Sequence, residues 1–149
     1  MQAETERLVR ESWARFEPTA VASARYFYQK LFELDPEASR LFAHTDMEAQ
    51  YKKVMRMFAE IVRTLDQPET LVAEVADLGR RHVQYGVHDS QYDSVGTALL
   101  WTLEQGLGEA FTPEVRDAWT EAYLYVSTIA RRATIRASRE FQIISQPHP

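Results

Sequence analysis

Apolar residues recur along most of the chain at gaps of three, four and seven, which is the period of amphipathic helices. One such stripe runs through LVAEVADLGRRHVQYGV, residues 71–87, and similar stripes lie on both sides of it. The inward positions that they predict are Val54, Phe58, Ile61 and Leu65, then Leu71, Val75, Leu78 and Tyr85, then Tyr92, Val95, Leu99, Leu103 and Leu107, and finally Val115, Trp119, Tyr123, Val126 and Ile129. The sequence lacks the alternation typical of strands and therefore predicts an all-α fold.

Capping residues and a glycine mark the ends of the predicted helices. Asp35 and Thr112 each precede a proline, which suits a capping side chain followed by the first helical turn. Thr45 with Glu48 three residues later predicts a capping box, and Gly86 predicts a helix stop. The predicted helices cover about residues 4–16, 19–34 and 36–42, begin again near Asp46 and near Asp89 or Ser90, and end with a long helix after Thr112.

The helical pattern fades beyond about residue 137. We therefore expect one domain over residues 1–136, within the usual size of a single domain, and a C-terminal tail over residues 137–149. Phe141, Ile143 and Ile144 leave three alternatives open for the tail: an extension of the last helix, pairing with another chain, or disorder. A monomer or a small homo-oligomer is the expected state.

Composition and charge narrow the class of protein. Apolar residues make up 45% and charged residues 26% of the 149 residues, which is typical of a globular protein. The net charge of −5 argues against a nucleic acid partner, and a weak basic cluster fits a solvated helix face formed by Arg131, Arg132, Arg136 and Arg139. Cysteine is absent, which excludes disulfides and thiolate ligands. Without a long apolar run or a signal-peptide core, a cytoplasmic protein that makes no membrane contact is expected.

His82 is the candidate for chemistry, because it stands at an inward position of the stripe in residues 71–87. One interpretation is an ordinary core histidine whose ring nitrogens bond backbone partners. The other is a proximal ligand of haem, since a buried imidazole without partners costs about a few kcal/mol and a flat apolar cofactor carrying a metal would supply a partner. In that case the second ring nitrogen is expected to bond a helical carbonyl one turn back, near Leu78. Phosphate-binding glycine loops, HExxH pairs and G-x-S-x-G turns are absent from the sequence.

Five fragments, in order, carry a resemblance to a family: FYQKLF at 27–32, RLF at 40–42, QYKKVM at 50–55, LGRRHVQYGV at 78–87 and QYDSVG at 91–96. With these spacings, residues from about 5 to 132 resemble the bacterial single-domain globins of the flavohaemoglobin lineage. The resemblance implies a globin fold, which is a three-over-three helical sandwich around haem b. It also implies reversible binding of O2, NO and CO at ferrous iron, with a tyrosine and a glutamine stabilising the gas.

On the distal side of the haem, the resemblance assigns Tyr28 to the distal tyrosine and Gln50 to the distal glutamine. Val54 matches the apolar residue one turn after the glutamine, and Phe42 matches the phenylalanine that packs on the haem. Lys53 is assigned to a haem propionate, with simple solvation as the alternative. An ordinary core tyrosine at position 28 and a surface glutamine at position 50 also stay open.

On the proximal side, His82 matches the histidine that ligates the iron and is the predicted metal ligand. Tyr92 matches the tyrosine beside that histidine, with an ordinary core tyrosine as the alternative. The residues expected to complete the pocket are Phe58, Leu78, Val87 and Val95. Flavohaemoglobins carry a glutamate that bonds the proximal pair, whereas counting on from Trp119 places Thr134 there, which argues against strong electron donation to the iron.

Two classes of function follow from the resemblance. The first is O2 scavenging or storage, or NO detoxification by an NO dioxygenase that depends on a separate reductase. Flavohaemoglobins continue into a reductase domain for which this chain leaves too few residues, so self-sufficient turnover is expected to be excluded. The second class is a haem-based sensor or a haem-free globin-fold module for signalling or interaction. His82 with the Tyr28–Gln50 pair favours the first class, and the choice between enzyme and binder stays open.

Overall fold

The computed structural model describes the backbone of residues 1–145 and the side chains of residues 1–83 and 85–139. The six α-helices of this part are α1 (Ala3–Phe16), α2 (Ala20–Leu34), α3 (Met47–Arg63), α4 (Pro68–Gln84), α5 (Asp89–Leu107) and α6 (Pro113–Ser145). Short 3-10 helices lie between them at Glu17–Thr19, Pro36–Phe42 and Gly108–Ala110. The prediction of an all-α fold is confirmed.

Contacts between helices distant in sequence hold the core together. Helix α4 packs most extensively against α6, and α2 packs against α5. Phe16 and Leu103 are fully buried, and burying a side chain of this size contributes about 1.5–3 kcal/mol. The Trp119 indole N–H donates to the Ser12 hydroxyl at 2.8 Å and so joins α6 to α1. This packing fixes the relative positions of α2 to α5, which carry most of the predicted site residues.

Three of the predicted helix ends are confirmed by the structure. The Asp35 carboxylate accepts from the Glu37 backbone N–H at 3.2 Å, and the Thr112 hydroxyl accepts from the Val115 backbone N–H at 3.2 Å. Gly86 follows α4 with a φ of +80°, a conformation that costs glycine little and other residues more. Local capping chemistry therefore decides where these helices begin and end.

The predicted capping box at Thr45 and Glu48 is wrong. Asp46 caps α3 instead, and its carboxylate accepts from the Ala49 backbone N–H at 3.3 Å. Helix α3 begins at Met47, so Asp46 stands directly before the first helical residue. An ionised cap also interacts favourably with the positive end of the helix dipole, which a threonine hydroxyl does not.

The inward positions predicted for α4 agree with the observed burial except at the last one. Leu71 and Val75 are fully buried, and Leu78 and His82 are half-buried. Tyr85 is 55% exposed, so its predicted inward position is wrong. Helix α4 has ended by Tyr85, which is its C-cap, and beyond that point the helical period no longer sets the direction of a side chain.

Helix α6 continues to Ser145 and so includes residues 137–145, for which a helical extension was one of the alternatives. The side chains of Phe141, Ile143 and Ile144, and all of residues 146–149, lie outside the described part. Across the described helices, none combines the length and apolar character needed to cross a bilayer.

Helices α4 and α6 approach each other closely at Gly79. A Cβ atom on Gly79 would lie inside van der Waals distance of the Ala130 carbonyl oxygen and 3.0 Å from the Ala133 Cβ. We expect Gly79→Ala to lower the free energy of unfolding by about 1–3 kcal/mol, because the methyl group must push α6 away from α4. Urea unfolding measures the change, and Ala73→Ser at an exposed position of α4 is the control, expected within about 0.5 kcal/mol of the parent. Equal stability of parent and Gly79→Ala would show that the helices have room for the methyl group.

Candidate functional site

Tyr28 on α2 and Gln50 on α3 meet through a side-chain hydrogen bond. The Gln50 Nε2 donates to the Tyr28 hydroxyl oxygen at 2.9 Å. Tyr28 is buried and Gln50 is half-buried. Because the Tyr28 oxygen accepts this bond, its own hydroxyl hydrogen can be donated to a third partner, as can the second amide hydrogen of Gln50. The pair therefore offers two hydrogen-bond donors from neighbouring helices.

Aromatic rings hold Tyr28 in position. The ring centroids of Phe27 and Phe42 lie 5.1 and 5.2 Å from that of Tyr28, both in edge-on arrangements. The ring centroid of Tyr51 on α3 lies 5.9 Å from that of Tyr28. Each aromatic pair of this kind contributes about 0.5–1.5 kcal/mol beyond the burial of its area. Packing, rather than the single bond to Gln50, therefore fixes where the Tyr28 hydroxyl lies.

The Tyr28 phenol stays protonated over the physiological pH range. Burial raises the pKa of Tyr28 to about 12, and the hydrogen bond from Gln50 opposes this effect. A folded-state pKa above the ordinary value of about 10 means that the unfolded chain loses this proton first as pH rises. The stability that depends on this proton is therefore complete below about pH 10 and is lost as pH rises through about 12.

Alkaline unfolding tests this protonation state. Between about pH 10 and the folded pKa, Tyr28 should reduce the free energy of unfolding by up to about 1.4 kcal/mol per pH unit. We expect Tyr28→Phe to lose less stability than the parent when urea unfolding is compared at pH 9 and pH 11. Identical losses in parent and variant would contradict a raised pKa at this hydroxyl.

Helix α3 adds an apolar face next to Gln50. Val54 and Phe58 are buried one turn apart, and the Phe58 ring packs edge-on against Phe27 at 5.8 Å between centroids. Lys53 is exposed on the same helix, next to the buried Val54. The remaining predicted pocket residues are half-buried: Leu78, Val87 and Val95.

His82, near the end of α4, is joined to α5 by a hydrogen bond between its Nδ1 and the Tyr92 hydroxyl, 3.0 Å apart. The predicted bond from the ring to a carbonyl near Leu78 is wrong. In a continuous helix the Leu78 carbonyl accepts the His82 backbone N–H, and the ring reaches across to α5 instead. With Nδ1 engaged by Tyr92, Nε2 is the ring nitrogen left to interact with another group.

The hydrogen bonding that begins at His82 continues from Tyr92 into α6. The Tyr92 hydroxyl lies 2.8 Å from the Thr134 hydroxyl. Thr134 in turn lies 2.8 Å from the Ala130 carbonyl oxygen and 3.0 Å from the Gly79 carbonyl oxygen. Tyr92 and Thr134 are both buried. The sequence comparison placed Thr134 beside His82 and Tyr92, and in the structure its hydroxyl contacts that of Tyr92.

Two residues that the sequence did not assign to the site support Tyr92. The Arg131 guanidinium lies 5.5 Å from the centre of the Tyr92 ring and pairs with Asp93. The Tyr123 hydroxyl donates to the Tyr92 carbonyl oxygen. The predicted solvated helix face is therefore wrong for Arg131, whose side chain is only 26% exposed. No local pattern signals this role, because the partners of Arg131 lie on another helix.

The side chains of His82 and Tyr92 are both neutral at pH 7. Burial, with a smaller contribution from the charge of Arg81, lowers the pKa of His82 to about 4. Burial likewise raises the pKa of the Tyr92 hydroxyl, against the smaller effects of Thr134 and Arg131. A neutral imidazole has one N–H and one lone pair, and it is the form in which histidine binds a metal.

Comparison with known proteins connects this geometry to one family. The Globin family model matches residues 25–129. A flavohemoprotein of Rhizobium meliloti is 33% identical over 104 residues, which cover 68% of this chain and 26% of that protein. A neuroglobin of Tetraodon nigroviridis is 30% identical over 139 residues, which cover 85% of this chain and 87% of that protein. The chain thus spans about a quarter of the length of the flavohemoprotein that it matches.

A solved structure shows the same arrangement of helices. It is the crystal structure of a hexacoordinated heme protein from an anhydrobiotic tardigrade at pH 4, with a TM-score of 0.82. The match covers 90% of this chain and 95% of that chain at 17% sequence identity, so it bears on the fold alone. The predicted three-over-three globin fold is confirmed.

Proposed function

Because this chain belongs to the globin family, we propose that it binds haem b and takes up O2 reversibly at the haem iron. The observation that carries the proposal is the state of His82: a neutral imidazole whose Nδ1 is engaged by Tyr92 at 3.0 Å. A proximal haem ligand requires a lone pair on Nε2, which a neutral imidazole has there when Nδ1 carries the hydrogen. Among the described residues, no cluster of three histidine or acidic side chains could hold an ion alone. One available histidine nitrogen therefore suits a cofactor whose own atoms already ligate the iron.

The residues around His82 and Tyr28 would hold the haem. His82 would bind the iron through Nε2, and Phe42 would supply an apolar wall on the side of Tyr28. Lys53, exposed on α3, would pair its ammonium with a propionate at the haem edge. The rest of the wall would come from Val54, Phe58, Leu78, Val87 and Val95. Buried and half-buried apolar side chains of this kind exclude water from the cofactor.

When bound, haem supplies a ferrous iron at which a diatomic gas binds reversibly. The chain contributes hydrogen-bond donors on the distal side. Gln50 donates to Tyr28 at 2.9 Å, which polarises the phenol, and both the Tyr28 O–H and the second amide hydrogen of Gln50 would donate to the gas. A hydrogen bond to a charged acceptor contributes about 1.5–3 kcal/mol, which corresponds to roughly ten- to hundredfold slower release.

Slow release of O2 fits scavenging, storage or NO detoxification better than bulk delivery. NO and CO would bind at the same position as O2. For NO dioxygenation the electrons would come from a separate reductase, and the flavohemoprotein relatives support a partner of this kind. The same relatives support a place in the flavohaemoglobin lineage. A cytoplasmic location and a monomeric or small homo-oligomeric state stay predictions.

A haem-free interaction module is the competing function, and titration with hemin separates the two. We expect the purified chain to take up one hemin per molecule, with a Soret band that saturates at that ratio. A chain that keeps its helical circular dichroism but takes up no hemin would support the module and contradict the proposal. A haem-based sensor would also bind hemin, but it would change its affinity for an output partner when the gas binds.

A further inference from the structure

The hydrogen bonds behind His82 form a chain of definite direction, and we propose that Thr134 is a positioning residue that sets the His82 tautomer. The members of this chain are the His82 Nδ1, the Tyr92 hydroxyl, the Thr134 hydroxyl and two backbone carbonyls. The inference deepens the proposed function and rests on it, because the tautomer decides which nitrogen of His82 can bind iron.

The direction is set at the end that lies farthest from His82. The Thr134 Oγ1 lies 2.8 Å from the Ala130 carbonyl oxygen and 3.0 Å from the Gly79 carbonyl oxygen. A carbonyl oxygen carries no hydrogen, so the single hydroxyl hydrogen of Thr134 is donated to these two acceptors. The Thr134 oxygen can then only accept, and its remaining neighbour is the Tyr92 hydroxyl at 2.8 Å.

Counting the hydrogens available at Tyr92 in the same way shows which imidazole nitrogen of His82 carries the hydrogen. The single hydroxyl hydrogen of Tyr92 is donated to Thr134, so the Tyr92 oxygen accepts from the His82 Nδ1, 3.0 Å away. The Nδ1 therefore carries the hydrogen, and the Nε2 keeps the lone pair. The reverse direction would leave the buried Thr134 oxygen facing two carbonyl oxygens with no hydrogen between them, which is unfavourable for all three acceptors.

Close packing of α4 and α6 allows Thr134 to reach this position. A Cβ atom on Gly79 would collide with the Ala130 carbonyl oxygen, so only glycine lets α6 approach α4 this far. As a result, Thr134 bonds a carbonyl of the same helix that carries His82. Among the described residues, no carboxylate hydrogen-bonds the hydroxyl of Tyr92 or Thr134, so every member of the chain is neutral.

The test is the ring tautomer of His82, measured by NMR of labelled histidine nitrogens in the full-length protein without haem. We expect the Nδ1–H form to predominate in the parent. Thr134→Val keeps the shape but removes the hydroxyl, so the tautomer ratio should shift roughly two- to tenfold toward the Nε2–H form, as expected for one neutral hydrogen bond. Thr134→Ser retains a hydroxyl and should keep the parental ratio. Thr128→Val is the matched control, because Thr128 is exposed on α6 and donates to the Leu124 carbonyl.

A parental ratio in Thr134→Val, or an Nε2–H form in the parent, would overturn the proposal. If Thr134→Val does not fold, Tyr92→Phe removes the hydroxyl that lies between His82 and Thr134. The same shift of the His82 tautomer ratio toward the Nε2–H form is expected. In the haem-loaded ferrous protein, the stretching frequency of the bond between iron and His82 should change in Thr134→Val and not in Thr134→Ser. Failure to take up hemin would count against the proposed function alone, since the tautomer is measured without haem.

Discussion

His82→Ala is expected to lose tight haem binding, because the substitution removes the proposed protein bond to the iron. Loss of a residue that only orients a metal ligand already costs roughly 10- to 100-fold in metal affinity. Loss of the ligand itself should therefore weaken hemin affinity by more than about 100-fold. The measurement is a hemin competition assay, together with the Soret spectrum of whatever haem is retained.

Two controls make the His82 result specific. His44→Ala changes an exposed histidine in the turn before α3 and should keep parental hemin affinity and spectrum. Imidazole added to His82→Ala should restore the spectrum of a nitrogen-ligated iron, since the small molecule can replace the missing ring. A parental spectrum in His82→Ala without imidazole would show that the iron is bound by another residue.

Tyr28→Phe and Gln50→Leu are each expected to speed O2 release by about 10- to 100-fold. Each variant removes a donor that would interact with the partly negative gas, and such a bond contributes about 1.5–3 kcal/mol. Because Gln50 donates to Tyr28 at 2.9 Å, the two effects should not be additive in the double variant. Stopped-flow displacement of O2 by CO gives the dissociation rates.

Tyr26→Phe is the matched control for Tyr28→Phe. Tyr26 lies on the same helix but is 54% exposed, so its hydroxyl has no role in the pocket and the O2 dissociation rate should stay parental. If Tyr28→Phe and Gln50→Leu both released O2 at the parental rate, neither residue would be a distal donor.

Local features of the chain could be predicted well from the sequence. The helical period located the buried positions Leu71 and Val75, and the caps at Asp35 and Thr112 are confirmed. These features depend on residues within one or two turns of each other, so the sequence contains the relevant contacts. The meeting of Tyr28 with Gln50 came instead from the family resemblance, since no local pattern relates α2 to α3.

Features that depend on how helices pack could not be predicted from the residues alone. The family resemblance placed Tyr92 beside His82, but the expected bond of the His82 ring was to a carbonyl of its own helix, and the ring instead lies 3.0 Å from the Tyr92 hydroxyl on α5. The sequence also placed Thr134 correctly but not its carbonyl acceptors, because these depend on how closely α6 approaches Gly79. Arg131 was missed for the same reason, since its partners become neighbours only after α5 and α6 pack.

The most direct measurement is the absorption spectrum of the reduced, haem-loaded protein as O2 is added and then removed. With His82 on the iron and Tyr28 and Gln50 beside the gas, the spectrum should convert to a stable oxygenated form and return when O2 is withdrawn. A folded protein that stayed colourless after addition of hemin, or whose reduced spectrum ignored O2, would contradict the account.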